Sequence, residues 1–327
     1  MDQNLSQPHP RHPTLIGEWG GMPPWQTEGS RSPVPHGPFR ERDITPLHDP
    51  VRKSCGERNI TGGQGMLQPD TVLCGDAGTV LRTFPDQCCA CCITSPPYWD
   101  TRYSGLSRKL GAEADYRDYI GKLVDIFREV RRTLIPSGTL WLVIGDTYAS
   151  DSARWWAMYQ GRRKETDIAR KIPEGFKPKD LMGIPWRLAM ALQDDGWYLR
   201  SDIIWWVPNH PAEPVIDRPM RAHDYVFLLA KSEQYAFNNG ASCTRAHKTV
   251  WEIPTVVSPP ISYAVFPEPL VERCMLAGSR KGDIVLDPFF GSGTVGVVAK
   301  RLQRQYFGIE LNPAFVQVAQ KRITRTK

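Results

Sequence analysis

Ten residues, Asp287-Pro288-Phe289-Phe290-Gly291-Ser292-Gly293-Thr294-Val295-Gly296, constrain the fold of this chain more than any other part of it. They follow the apolar run Ile284-Val285-Leu286 and lead into a helical pattern from about 293 to 303. Strand, tight glycine turn and helix in that order form the unit from which open parallel sheets are built. The G-x-G-x-x-G spacing lets a ligand approach backbone closely. Glu310 ends the next predicted strand, 306–309, 23 positions beyond Asp287, where an acid suits the hydroxyls of a ribose.

The same alternation runs upstream. Short apolar runs at 71–74, 91–94, 140–144, 198–206 and 223–230 read as strands. Between 116 and 134, Tyr116, Tyr119, Ile120, Leu123, Phe127, Val130 and Leu134 recur mostly at spacings of three and four, the stripe of an amphipathic helix that Pro136-Ser137-Gly138 ends. Further helices are expected near 180–195, near 267–277 and from about 313. The fold class is therefore α/β, a doubly wound and mostly parallel sheet with helices on both faces. Such sheets bind ligands beyond the carboxyl ends of their strands.

Residues 1–68 do not share this pattern. They hold ten prolines and nine glycines, few aliphatic residues, and seven basic against seven acidic side chains. Such a segment buries too little apolar surface to offset its ordering entropy, and it is expected to be a disordered arm. Docking through Trp19 and Trp25 is the alternative. The net charge of +6 then belongs entirely to residues 69–327, the expected catalytic domain, where it suits a polyanionic partner. No apolar run approaches the roughly 20 residues of a membrane span, and no charged-apolar-small leader opens the chain. A cytoplasmic location without membrane association is the expectation. Cys88, Cys89, Cys91 and Cys92 lack two further ligands at a recognisable spacing, so they read as small core residues of a strand and no metal site is expected.

The glycine turn leaves a choice of cofactor. A dinucleotide needs two mononucleotide-binding halves, and only 17 residues follow Glu310. Asp287 also stands where a pyrophosphate would meet negative charge. A cationic cofactor without phosphate, S-adenosylmethionine, fits better.

Ile93-Thr94-Ser95-Pro96-Pro97-Tyr98-Trp99 lies where a buried strand reaches the same ligand edge. Two prolines fix the backbone and supply no N–H, so the carbonyls of Ser95 and Pro96 are held beside the Ser95 hydroxyl and two aromatic rings. These groups suit an exocyclic amine on a flat base stacked against Tyr98. Acceptors that hold the amine hydrogens help localise the nitrogen lone pair for attack on a sulfonium methyl.

In the order of these motifs the sequence resembles the β-class DNA amino-methyltransferases, which methylate N4 of cytosine or N6 of adenine. The resemblance runs over roughly 69–325. It implies a circularly permuted, Rossmann-like methyltransferase fold in which the catalytic motif precedes the cofactor motif. It assigns Ser95, Pro96, Pro97 and Tyr98 to catalysis. To the cofactor it assigns Asp76, Phe266, Asp287, Pro288, Phe289, Gly291, Gly293, Thr294 and Glu310. DNA is the implied substrate, with the target base flipped out of the duplex, and a cognate restriction endonuclease the implied partner. The serine-headed turn favours cytosine N4. Adenine N6, an RNA or protein substrate, and a catalytically silent nucleic-acid-binding protein of the same fold are the alternatives. Two positions depart from the family pattern: Ser262 stands where a histidine is common, and Val207 where a lysine is common. Loss of that lysine is expected to weaken a phosphate contact. The basic and aromatic stretch from Arg154 to Lys171, with the loop from Trp99 to Lys109 and the segment from Trp205 to Arg221, is the expected surface for substrate recognition.

Overall fold

The structure is a computed structural model that describes residues 67–99, 110–149, 172–210, 215–238, 248–255 and 266–326. The expected arm, except for residues 67 and 68, lies outside the described residues. So do Trp19, Trp25, Ser262, the 100–109 loop and the stretch from Arg154 to Lys171.

Eight strands form one sheet: β1 (Thr71–Cys74), β2 (Cys89–Thr94), β3 (Leu134–Ile144), β4 (Tyr198–Trp206), β5 (His223–Ala230), β6 (Val250–Glu252), β7 (Ile284–Asp287) and β8 (Gln305–Glu310). Their order across the sheet is β1-β8-β7-β2-β3-β5-β4-β6. Only β5 is antiparallel to its neighbours β3 and β4; every other pairing is parallel. The first and last strands are neighbours, with Thr71 opposite Phe307 and Cys74 opposite Glu310, as a permuted chain order requires.

Among the described residues six helices cover the sheet: α1 (Ala77–Leu81), α2 (Tyr116–Thr133), α3 (Ile184–Asp194), α4 (Glu268–Gly278), α5 (Thr294–Arg301) and α6 (Pro313–Arg325). The first three pack in one core layer and the last three in another. Strand alternation divides each strand between the two layers. Leu140, Leu142 and Ile144 of β3 face α1–α3, while Trp141 and Val143 face α4–α6. In α2, Tyr119, Ile120, Leu123, Phe127 and Val130 are buried, and Asp115 caps the helix by accepting from the Arg117 N–H at 2.8 Å.

Three elements differ from expectation. The short α1 was not foreseen: five residues hold too little periodicity to see, and it forms because Asp76 caps it. The three-residue β6 was not foreseen either; it forms by pairing with β4. Strand β3 begins directly after α2, before the Pro-Ser-Gly segment expected to separate them. The extra residues form a bulge opposite Cys89–Cys91, where a Cβ on Gly138 would lie 2.9 Å from the Ile135 carbonyl.

Between β7 and β2 the winding of the sheet reverses. From β7 the chain proceeds through α5 to β8 on one side; from β2 it proceeds through α2 to β3 on the other. The carboxyl ends of β7 and β2 therefore meet where the winding reverses, which is where open sheets of this kind place a ligand crevice. The glycine turn is seated there by packing. A Cβ on Gly308 would come within 2.4–2.5 Å of three ring atoms of Phe290, which itself stacks on Tyr306. Gly308→Ala should therefore destabilise the protein by about 1–3 kcal/mol, the usual cost of overpacking a core. A lower urea midpoint with unchanged slope is the expected result, and Phe290→Leu in the same background should recover part of the loss.

Candidate functional site

Asp287, the last residue of β7, and Thr94, the last residue of β2, meet at this crevice. The Thr94 hydroxyl donates to Asp287 Oδ1 at 2.6 Å, and the Phe289 N–H donates to the same oxygen at 3.0 Å. Asp287 is only 1% exposed, and its Oδ2 has no hydrogen-bond partner among the described residues. Burial pushes the carboxyl up to about 7, against the pull of Thr94 and Phe289, and Glu310 adds a weaker push in the same direction. A buried acceptor left open at a ligand crevice is the complement of a cationic donor.

The glycine turn wraps around this carboxylate. Gly291 and Gly293 have φ of 51° and 84°, a left-handed backbone that glycine adopts without strain. Beside Gly291 a Cβ would meet nothing nearer than 4.0 Å, so backbone there is open to a ligand. Gly293 and Gly296 serve packing instead: a Cβ on either would strike α6, at Ala319 or Ile323. Thr294 is buried, and its hydroxyl, with Ser292, receives the Arg322 guanidinium. That guanidinium also faces Glu268, so the start of α4, and Phe266 two residues before it, flank the turn. Pro288 is buried behind Asp287, and half-buried Phe289 packs its edge against Phe127.

Glu310 ends β8 beside Asp287. Its two oxygens accept from the Gly291 and Asn312 N–H groups, both at 2.8 Å. Burial raises its carboxyl above the ordinary range, and those backbone donors oppose the rise. Asp76 follows β1, one strand further on, and uses one oxygen to cap α1 through Thr79. The Gly75 N–H bonds to the Glu310 carbonyl at 3.0 Å, which brings the Asp76 turn against the end of β8. The structure thus gathers Asp287, Gly291, Glu310 and Asp76 along three adjacent strand ends, β7, β8 and β1.

Ser95, Pro96, Pro97 and Tyr98 continue β2 beyond Thr94 on the other side of the crevice. The Tyr119 hydroxyl donates to the Pro97 carbonyl at 2.8 Å and pins the turn to α2. The Tyr98 hydroxyl donates to Asp224 Oδ2 at 3.2 Å. Burial and the Asp224 charge hold the phenol well above its ordinary range. Arg221 donates to the other Asp224 oxygen and to the Asp146 carbonyl. The Asp146 carboxylate in turn accepts from the Thr147, Gly183 and Ile184 N–H groups and so caps α3. A Cβ on Gly145 would lie 2.4 Å from Asp224 Oδ1 and 2.7 Å from the Tyr98 ring, so only glycine lets these groups converge.

Asp224 and Asp146, which join Tyr98 in this network, were not singled out from the sequence; Arg221 closes the segment expected for recognition. The readable signal was Gly145-Asp146 at the end of a buried strand. Asp224 stands at the start of its strand, and it reaches the carboxyl edge only because β5 is reversed.

Two expected recognition residues are corrected. Val207 is buried in the α4–α6 core layer, its N–H bonded to the Ala222 carbonyl. Trp205 is also buried, with its indole N–H on the Ile253 carbonyl. The four clustered cysteines are buried, Cys88 just before β2 and the other three in it, and Cys91 and Cys92 face opposite core layers.

A model of the DNA methylase family matches residues 89–321. The chain is 48% identical over 272 residues to the type II methyltransferase M.SmaI of Serratia marcescens, covering 80% of this chain and 93% of that protein. It is 46% identical to the type II methyltransferase M.Cfr9I of Citrobacter freundii, covering 79% and 88%. Among solved structures, it is similar to a DNA modification methylase of Thermus thermophilus, TTHA0409, complexed with S-adenosyl-L-methionine and described as putative in that role. The identity is 26% and the TM-score 0.55, over 78% of this chain and 93% of that one. The fold is also that of the PvuII cytosine-N4-specific DNA methyltransferase, at 21% identity and a TM-score of 0.60, over 78% and 86%.

Because burial raises the Asp287 carboxyl to about 7, its ionised form is the one a cationic ligand selects. Affinity for S-adenosylmethionine, measured by calorimetry, should rise as pH increases through about 7 and level off above it; Asp287→Asn should flatten the profile. The ligand-free protein should show the opposite slope. Its native state holds the proton more tightly than the unfolded chain, so this group's contribution to stability falls as pH rises from about 4 to 7.

Proposed function

The chain belongs to the DNA methylase family that acts on exocyclic amines, N6 of adenine or N4 of cytosine, and within it we propose a cytosine-N4 enzyme whose catalytic turn is Ser95-Pro96-Pro97-Tyr98. The activity of the family is S-adenosylmethionine-dependent methyl transfer to DNA. The observation that supports the site reading is the 2.6 Å bond between Thr94 and Asp287. Ser95 directly follows Thr94, so the residue offered to the base and the carboxylate offered to the cofactor are coupled through one side chain.

The cofactor, when bound, supplies a methyl group on a positively charged sulfur. Asp287 would receive its ammonium group at the open Oδ2, the Gly291–Gly293 backbone would line its path, and Glu310 and Asp76 would face the ribose and adenine. Phe266, Pro288, Phe289 and Thr294 complete the walls. The target base leaves the duplex and stacks on Tyr98. Ser95 Oγ and the Pro96 carbonyl accept the amine hydrogens, which draws the nitrogen lone pair out of conjugation and aims it at the methyl. Direct attack follows, with no covalent bond between enzyme and base.

The serine at the head of the turn favours cytosine N4 over adenine N6. Residues 69–327 form the catalytic domain in this reading, and residues 1–68 an attached arm. The stretch from Arg154 to Lys171 and the loop from Trp99 to Lys109, both basic and aromatic, serve DNA recognition. The type II names of M.SmaI and M.Cfr9I support a cognate restriction endonuclease as the biological partner. No helix among the described residues is long and apolar enough to cross a membrane, and a cytoplasmic location, with the DNA, belongs to the same proposal.

Mass spectrometry of nucleosides from DNA methylated by the protein should give N4-methylcytosine; N6-methyladenine instead would reject the base assignment. Ser95→Ala and Tyr98→Ala should each lower transfer by about 100-fold or more while calorimetric cofactor affinity persists. Near-normal turnover in both variants would remove the turn from catalysis.

A further inference from the structure

Backbone pairing between β2 and β7 runs through Cys91–Val285 and Cys92–Leu286. Past those pairs the strand ends are joined by side chains, the Thr94 hydroxyl donating to Asp287 Oδ1 at 2.6 Å. Thr94 is fully buried, and its single hydroxyl proton is committed to that oxygen. The Phe289 N–H donates to the same atom at 3.0 Å. Two donors thus converge on Oδ1, while Oδ2 has no partner among the described residues. The carboxylate is asymmetric by construction, with one oxygen saturated by the protein and the other bare.

We propose that Thr94 is a positioning residue for the cofactor, whose hydroxyl keeps the Asp287 carboxylate ionised and leaves Oδ2 as the oxygen offered to the ammonium group. The inference rests on the reading of Asp287 as the partner of that ammonium. It gives the residue before the catalytic turn a role of its own, on the cofactor side of the crevice.

The physical reason is charge. A hydrogen bond to an ionised oxygen is shorter and roughly twice as strong as one to a neutral oxygen. A donor fixed against Oδ1 therefore favours the form without a proton. Burial works in the opposite direction and raises the Asp287 carboxyl to about 7; Thr94 is the larger of the two donors that oppose it, ahead of Phe289. The neighbouring titratable groups give no such help. Glu310, at the end of β8, adds a push upward, and the Cys92 thiol, two residues before Thr94, is held protonated by burial. The Arg322 guanidinium of α6 is engaged by Ser292, Thr294 and Glu268, and α2 meets the turn through the apolar contact of Phe127 with Phe289. Without a donor at position 94, Asp287 would stay protonated to higher pH, and the carboxyl would have to give up that proton before Oδ2 could hold an ammonium.

Thr94→Val removes the hydroxyl at nearly unchanged shape. Calorimetry with S-adenosylmethionine should give an affinity about tenfold below wild type at pH 6, the gap closing as pH rises toward 9, where Asp287 is ionised in both proteins. The cofactor's own ammonium titrates within this range, but equally for both. Thr94→Ser should restore the wild-type profile. In the Asp287→Asn background, Thr94→Val should lower affinity no further, because the hydroxyl acts through that carboxylate. Thr94→Cys, a weak donor of similar size, should follow the trend of valine and serves where valine disturbs folding. A loss of equal size at every pH would overturn the proposal. So would a wild-type profile in both Thr94→Val and Thr94→Cys; together with a loss in Asp287→Asn, that result leaves the Asp287 reading intact. If Asp287→Asn itself keeps the wild-type affinity and profile, the Asp287 reading fails and the proposal with it.

Discussion

The hydrogen bond from Thr94 to Asp287 ties together the two halves of the sheet at the point where its winding reverses. A carboxylate this deeply buried is unfavourable unless paired, and the fold pairs only one of its oxygens. The cost is tolerated where a ligand completes the pairing. Much of the local architecture serves that arrangement. The Phe289 N–H steadies the paired oxygen, the turn through Gly291 leaves backbone open, and Gly308 makes room for the Phe290 ring beneath the turn. Such local departures from good packing and full hydrogen bonding are what a functional site looks like in an otherwise consistent fold.

The catalytic half of the edge follows a different rule. Its polar groups satisfy one another: Tyr98 by Asp224, Asp224 by Arg221, Arg221 by the Asp146 carbonyl, and Asp146 by the Thr147 N–H and two backbone donors at the start of α3. A network closed in this way holds side chains to one geometry, which suits groups that must orient an amine. The Asp287 side keeps an unpaired acceptor, and the Tyr98 side is closed by its own hydrogen bonds. Thr94 and Ser95, neighbours in sequence, join the two.

Legibility in the sequence followed the range of the interactions involved. The amphipathic stripe of α2, the apolar runs of the main strands and the glycine turn of β7–α5 are local patterns, and each element formed where its pattern lies. Short α1 depends on a single cap, Asp76, and β6 exists only because β4 lies beside it. Both carry too little local signal to be read. Of the residues proposed for the site, Ser95–Tyr98 and Asp287–Thr294 stand out in the sequence because each group is contiguous. Asp224 does not, because its role depends on a strand running backwards. Val207 and Trp205 looked like recognition residues in a row of aromatic and polar letters. Strand alternation turned them into the core instead.

What the sequence by itself determined was the longer helices and the main strands, with the two short motifs at their ends, since hydrophobic period, proline and glycine act over a few residues. Tertiary structure alone decided which strand ends share an edge. Thr94 and Asp287 are 193 positions apart, and Tyr98 and Asp224 are 126 apart; their meeting follows from sheet order and strand direction. Those are set by pairing between distant segments, where the free energy lies in the burial of whole faces and in register. No run of neighbouring residues contains that information.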